Sequence, residues 1–551
     1  MDNENSDNKV LKADSEYKKF ASNTFYSLLV NYGSHFATFV YSFLLARLIT
    51  DESWGFLIIA TSYITIIVNI IHFLPPGLNH ALNYYIPRYL TLNQKAKIKS
   101  LVKNAFIIKL LFAIPILILS LLVFFIFANL FTVNLKNKVD LLFILFPLAL
   151  TNSSKYILDA INRGFYRFHF LFILLIVRNI IHISPLLIYY LFDLSISVEI
   201  IAFIVMASSV VPFLINISYI LINILRISSE DNEKVSFRED FSNTFKFGSY
   251  IGVSDLIDKM WRETQFQGIS IFASEGAVTG YNIGLNYRNL SLYSVTSMSY
   301  PLLTSFSSLN TKERYNQVNK IYKVAYKVTL FILLIISGIL FFAVDFFLDF
   351  IFLEDRLIYS DFLRLLILSV VFQILGYFVY SLLNAQYKVK FTFLLKIINM
   401  SYIIPLFFIG LIYFGVEVAI FLGLVVGNII SLMIEIYSSK KLAKVDLNIK
   451  KIVVQYITFF IPLGITIFLE HLIFKETSFA LIQDLGLSLF KNFDFLSIGT
   501  FLILFILMNL LLKTVTRNDI KNFEILLNKD RFLDKILIKI LSILKRVTRK
   551  S

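Results

Sequence analysis

The 551-residue sequence contains no cysteine. That excludes disulfides, thiolate metal sites and cysteine nucleophiles, while saying little about compartment. Charge is scarce as well: Asp, Glu, Lys and Arg make up 16% of the residues against 57% hydrophobic ones. A soluble chain of this length would divide into several domains carrying far more charge. No P-loop, dinucleotide fingerprint, HExxH or GxSxG pattern occurs, so no enzyme chemistry is expected. No long outer loop presents the paired carboxylates expected of a membrane glycosyltransferase. The opening stretch, MDNENSDNKVLKADSEYKKFASN, mixes acidic and basic residues with no apolar core, so no cleavable signal peptide is expected.

What the sequence does have is apolar blocks of about 20 residues or more, the length that crosses a hydrocarbon core as a helix. A transmembrane β-barrel would show short alternating strands instead. The expected class is an all-α polytopic membrane protein with about fourteen spans. The first six lie near 22–47, 55–75, 104–130, 140–162, 168–192 and 197–225. The next six lie near 243–272, 278–306, 324–350, 360–383, 392–414 and 417–437, with a last pair near 452–474 and 494–513. Alternate joints are basic, as at Arg88/Lys95/Lys97, Arg163/Arg167, Lys312/Arg314 and Lys440/Lys441/Lys444. The intervening joints, such as FDLSISVE and FLEDR, are acidic or neutral. Retention of Lys and Arg in the cytosol predicts cytoplasmic termini in a cell (plasma) membrane. The formal charge of +15 sits on those joints, where anionic lipid explains it better than nucleic acid. The tail at 516–551 carries Phe523, Leu526, Leu533, Ile536, Leu537 and Ile540 at helical spacing among Lys and Arg. It reads as an amphipathic helix on the inner leaflet, with a partner-docking helix as the main competing reading.

Three landmarks recur at nearly constant offset. SNTF stands at 22–25 and at 242–245, 220 residues on. The exit of the fourth span, DAINRGFYRFHF, pairs with the exit of the tenth, SLLNAQYKVKFT, at 222 (Asn162 with Asn384). TDESWGF pairs with SEGAVTGY at 225 (Gly55 with Gly280). This predicts two pseudo-symmetric six-helix lobes, 1–228 and 229–445, related by an axis along the membrane normal. A further helix pair at 446–515 and the basic tail at 516–551 complete the expected organisation.

The seventh span is the least lipid-like. Asp255, Asp258, Lys259, Arg262 and Glu263 share one helical face, and Asp258 lies roughly 24 Å along the helix from Ser242. Each charge at mid-membrane costs about 2.5–3.5 kcal/mol on insertion scales, so this face must line water or meet a polar helix. Three i,i+4 pairs, Asp255–Lys259, Asp258–Arg262 and Lys259–Glu263, offer self-neutralisation as the bland reading. The functional reading is a wet cavity for a polar ligand. The first span carries a milder stripe, Asn23, Ser27, Asn31, His35, Thr38 and Ser42, with Arg47 near its end. Such small polar residues also serve as ordinary helix-packing groups. Further candidates are Asn69, His72 and Arg288. Lys109, Lys155, Arg178, His182 and Lys396 join them, although Lys and Arg near an interface often snorkel. Arg178 lies too deep in its apolar run for that.

The residues Ala46, Arg47, Leu48, Asp51, Gly55 and Phe56 resemble the end of the first helix and following step of polysaccharide-export flippases. Gly280 and Tyr281 resemble the same family's step between helices seven and eight, and INRGFYRF its helix-four exit. These are the lipid-linked oligosaccharide flippases of the multidrug/oligosaccharidyl-lipid/polysaccharide exporter superfamily, and the resemblance spans roughly 20–440. It implies two lobes around a cavity lined by the first and seventh helices. It also implies alternating access that carries a polyprenyl phosphate- or diphosphate-linked glycan outward, in company with glycosyltransferase or polymerase partners. On that reading Arg262, Lys259, Arg288, Arg47, Asn31, His35 and Arg178 would hold substrate, without any cofactor. Asp255, Asp258 or Glu263 could instead bind Na⁺ or H⁺ for coupling. A cation-coupled multidrug exporter of the same superfamily is the nearest alternative, and a membrane oligosaccharide polymerase a more distant one.

Overall fold

A computed structural model of the chain describes residues 26–126, 138–225, 237–311, 315–474, 494–512 and 514. Within these ranges it leaves out 27–28, 31–32, 77, 93, 353, 387 and 446. The tail at 516–551 and much of the first span, Asn23, Ser27 and Asn31 included, lie outside the described residues.

Among the described residues the chain is helical, without strands. The helices are α1 (33–48), α2 (Asp51–Phe73), α3 (Leu78–Thr91), α4 (Lys95–Ile126), α5 (Asp140–Gly164), α6 (Phe168–Leu191), α7 (Val198–Leu225) and α8 (Phe237–Phe272). They continue with α9 (Glu275–Thr311), α10 (Tyr315–Phe342), α11 (Glu354–Val371), α12 (Ile374–Ala385), α13 (Val389–Phe414), α14 (Val416–Lys441), α15 (Ile449–Leu469) and α16 (Phe495–Leu511). A helix stands at each of the fourteen expected spans. Nine described helices are long and apolar enough to cross a membrane, and α11 and α12 join as a tenth, bent by 40°. The seventh and eighth spans, α8 and α9, have ample length at 36 and 37 residues but are too polar to count by composition. The chain is a multi-pass membrane protein.

The ends of these helices follow from local sequence. Thr50 caps α2 by accepting from Ser53 N, Asn448 caps α15 from Lys451 N, and Asp494 caps α16 from Ser497 N. Gly415 turns the chain between α13 and α14 at φ +98°, a conformation that only glycine adopts cheaply. One helix was not expected. Residues 78–91 read as part of a basic joint, yet Leu78, Leu82 and Ile86 recur every fourth position and are buried against Leu158 and Ile161 of α5.

The chain divides into two units, Met1–Thr279 and Gly280–Ser551. The division falls one helix later than the repeat boundary expected at 228/229, because α8 packs on α2 and α3 of the first unit. Hydrogen bonds run both ways between α8 and α2: Gln267 Nε2 of α8 donates to Ile59 O (3.2 Å), and Ser62 Oγ of α2 donates to Glu263 O (3.4 Å). Glu275, just beyond α8, lies so close to α2 that a Cβ on Gly55 would collide with its carbonyl.

In the second unit the final pair α15 and α16 belongs to the core. Phe501 is fully buried between Phe342 and Phe459, with ring centroids 5.9 Å away on each side. The exits of α5 and α12 end alike. Arg167 N donates to Asn162 O and Lys388 N to Leu383 O, at 2.9 and 2.8 Å. The offset is 221 residues (388 − 167), so the corner geometry pairs Asn162 with Leu383, one position from the motif pairing.

Candidate functional site

The polar face of α8 opens onto a small cleft in the first unit, lined by Asp255 and Lys259 of α8, Asn69 and His72 of α2, and Asn79 of α3. The Asn79 side-chain amide hydrogen-bonds with His72 Nδ1 at 3.2 Å. The His72 ring in turn lies 4.0 Å from the ring of Tyr156 on α5. The Lys259 ammonium reaches the same ring, 5.0 Å from its centroid.

Tyr156 is the hub of this region. The charges that act on it are those of Arg262, Asp159, Arg178 and Glu263. Arg178, on α6, is half-buried and interacts electrostatically with Asp159, Tyr156 and Tyr41. Lys155 interacts with Arg178, Asp159 and Arg163. Its side chain keeps exposed surface. No carboxylate lies within ion-pair distance of Lys155 or Arg178 among the described residues. Beside them the Tyr41 and His182 rings pack at 4.1 Å, and His182 Nε2 is buried without a hydrogen-bond partner.

The structure thus brings Lys259, Arg262, Glu263 and Arg178 of the expected set together, with Asp255 at the mouth of the cleft. Glu263, only 3% exposed, pairs with its neighbour Arg262 rather than with Lys259: Nη2–Oε1 is 2.9 Å and Nε–Oε1 3.1 Å. Lys259 faces the Tyr156 ring instead, while Asp255 four residues earlier acts on its charge. Asp258 is exposed. His35 and Thr38 are exposed on α1, while Ser42 is buried. Arg47 folds onto its own helix, its guanidinium 3.7 Å above the Phe43 ring and Nη1 donating to Phe43 O (3.4 Å). Asn31 lies outside the described residues. Arg288 belongs to the second unit, half-buried, with Nε lacking a hydrogen-bond partner and its charge acting on Tyr281. Lys109 does not snorkel: it is buried, donating to Ile71 O and to Leu74 O at the end of α2. Its charge meets the negative end of that helix.

Sequence reasoning missed Tyr156, Asp159 and Tyr41. Asp159 four residues after Lys155 in an apolar helix was the available signal, since two opposite charges at i,i+4 inside a span mark a face turned from lipid.

Residues 20–307 match the family described as "Polysaccharide biosynthesis protein". No curated protein matches the sequence. Among solved structures the chain is similar to the lipid II flippase MurJ in an inward closed conformation. That match has 17% identity and a TM-score of 0.60, and covers 89% of this chain and 98% of that one. It is similar to an inward-facing multidrug resistance MATE family transporter of the MOP superfamily, at 16% identity and TM-score 0.60, covering 74% and 94%. A mutant of the Vibrio cholerae MATE transporter VcmN matches at 16% identity and TM-score 0.54, covering 78% and 97%. At these identities the likeness is one of fold.

Proposed function

With more than half its length inside that match, the chain belongs to the family of polysaccharide biosynthesis proteins, and on that premise we propose that it is a flippase for lipid-linked oligosaccharide. It carries a glycan on a polyprenyl phosphate or diphosphate from the cytoplasmic to the outer leaflet of the cell membrane by alternating access, with both termini in the cytoplasm. The observation that carries the proposal is an excess of positive charge in a polar region inside a membrane unit, where Lys155, Arg163 and Arg178 share the carboxylate of Asp159. Excess charge there is costly and is retained where a ligand of opposite sign visits. A phosphate supplies that sign, and the planar guanidinium of Arg178 suits its oxygens. Around them Asn69, Asn79, His72, Tyr156 and Asp255 offer donors and acceptors to sugar hydroxyls. The polyprenyl chain stays in lipid while the head group uses this route.

The MOP fold is also that of multidrug transporters. A cation-coupled drug exporter would be served by an acidic, aromatic cleft, and the excess positive charge of Lys155, Arg163 and Arg178 over Asp159 would repel cationic drugs. The deciding experiment follows surface glycan in cells deleted for the gene and complemented with Arg178→Ala or wild type, at equal membrane abundance. Glycan display lost in the variant supports the flippase. Undiminished display, with drug resistance lost, would establish the exporter.

A further inference from the structure

The second unit holds a buried acid that the cleft of the first does not explain. Glu435, on α14, is 4% exposed. It accepts hydrogen bonds from Asn399 of α13 and Tyr380 of α12. Its Oε2 is buried and has no hydrogen-bond partner among the described residues. The pocket is made for the carboxyl: Gly376 of α12 faces it, and a Cβ there would stand 2.6 Å from Oε1.

The surroundings are uncharged. Asn399 Nδ2 also donates to Tyr380 OH (3.1 Å), while Asn399 Oδ1 accepts from Tyr402 OH (2.9 Å). Tyr402 OH is tied to Ser431 Oγ on α14 at 2.7 Å. The other titratable groups on which Glu435 acts are Tyr322 and Tyr326 of α10 and Tyr456 of α15, all phenols. No Lys, Arg or His among the described residues acts on Glu435. The Lys396 ammonium of α13 lies over the Tyr380 ring, 5.9 Å from its centroid.

An ionised carboxylate so enclosed would be an uncompensated charge, and buried acids of this kind keep a proton instead. We propose that Glu435 is a proton-binding site, with the proton on Oε2 while α12, α13 and α14 are packed as they are here. Release of that proton leaves a charge the phenols cannot neutralise, so deprotonation requires water to enter between these helices. Proton occupancy of Glu435 and separation of α12 from α13 and α14 are therefore linked. Resting on the transport reading above, this assigns the coupling ion as H⁺ and places its site at Glu435 rather than at Asp255, Asp258 or Glu263.

The test begins without any substrate. Infrared spectra of the full-length protein in liposomes should show a carboxylic C=O band at neutral pH that is lost in Glu435→Gln. Tyr380→Phe, which removes one donor to the carboxyl, should move that band without abolishing it. An unchanged spectrum in Glu435→Gln overturns the proposal. So does a carboxylate signature at Glu435 that responds to Na⁺ at fixed pH, which would make it a metal-ion site. In cells, Glu435→Gln should display surface glycan insensitively to a protonophore, or not at all. Wild-type display with wild-type sensitivity overturns the coupling. Should the cargo prove not to be a glycan, the infrared result still stands or falls alone.

Discussion

The Lys259 ammonium and the Tyr156 ring face each other at 5.0 Å across two helices of the first unit. The contact holds a cation of α8 against α5, with Asp255 also acting on it, and keeps the charge on the cleft where an anion can approach. Cation–π contacts contribute about 0.5–2 kcal/mol, which corresponds to about 2- to 30-fold in an equilibrium. Tyr156→Leu should lower glycan display within that range at equal membrane abundance. Tyr156→Phe, which keeps the ring, should stay near wild type. Equal loss in both would transfer the role to the hydroxyl.

Arg178 and Lys155 should separate by chemistry. Hydrogen bonds to charged groups contribute about 1.5–3 kcal/mol, so Arg178→Ala should weaken binding of the lipid-linked glycan by about 10- to 150-fold. Arg178→Lys keeps the charge and loses the fork, and should recover only part of that. Lys155→Ala, on the exposed wall, should cost less. Arg288→Ala in the second unit should insert normally and also lose surface glycan. Normal display from Arg178→Ala and Arg288→Ala together would remove the cationic site.

Arg262 calls for a paired design. Its partner Glu263 is buried while Arg262 itself is 61% exposed. Breaking a buried ion pair by removing one member costs about 3–5 kcal/mol, and the exposure of Arg262 reduces this by solvent screening. Arg262→Ala should therefore lower the unfolding temperature in detergent as well as display. Arg262→Ala combined with Glu263→Gln should restore the temperature but not display. A double variant that regains full display would show that Arg262 only neutralises Glu263.

The helices were legible because hydrocarbon thickness imposes their length, and the polar face of α8 was legible because period and insertion cost agree at Asp255, Lys259 and Arg262. What that face meets was not. Tyr156 follows the polar run TNSSK in α5, but only packing shows the ring turned to Lys259. Arg47 shows the converse. Its position suited a cavity, yet the Phe43 ring one turn back draws the guanidinium onto α1. Helix α3 was hidden because its charged residues read as a joint, although Leu78, Leu82 and Ile86 already carried a helical period. The buried Glu435 lay in plain view within SLMIEIYSS, but one acid near a predicted span end carries no distinguishing pattern.

Gly55, noticed first as a repeated landmark, has a packing role that stability can measure. Alanine normally improves a helix interior over glycine by about 1 kcal/mol. At Gly55 the added Cβ would strike the backbone carbonyl of Glu275, which has no rotamer through which to yield. Overpacking of this kind costs about 1–3 kcal/mol or more, so the clash should outweigh the propensity gain. Gly55→Ala should therefore unfold at a lower temperature in detergent than the wild type. Gly464→Ala on α15 is the control, because nothing lies within 4 Å of its Cβ position. There the propensity gain should stand alone, leaving the unfolding temperature unchanged or raised. If both variants behave alike, the approach of Glu275 to α2 is loose enough to take a methyl group.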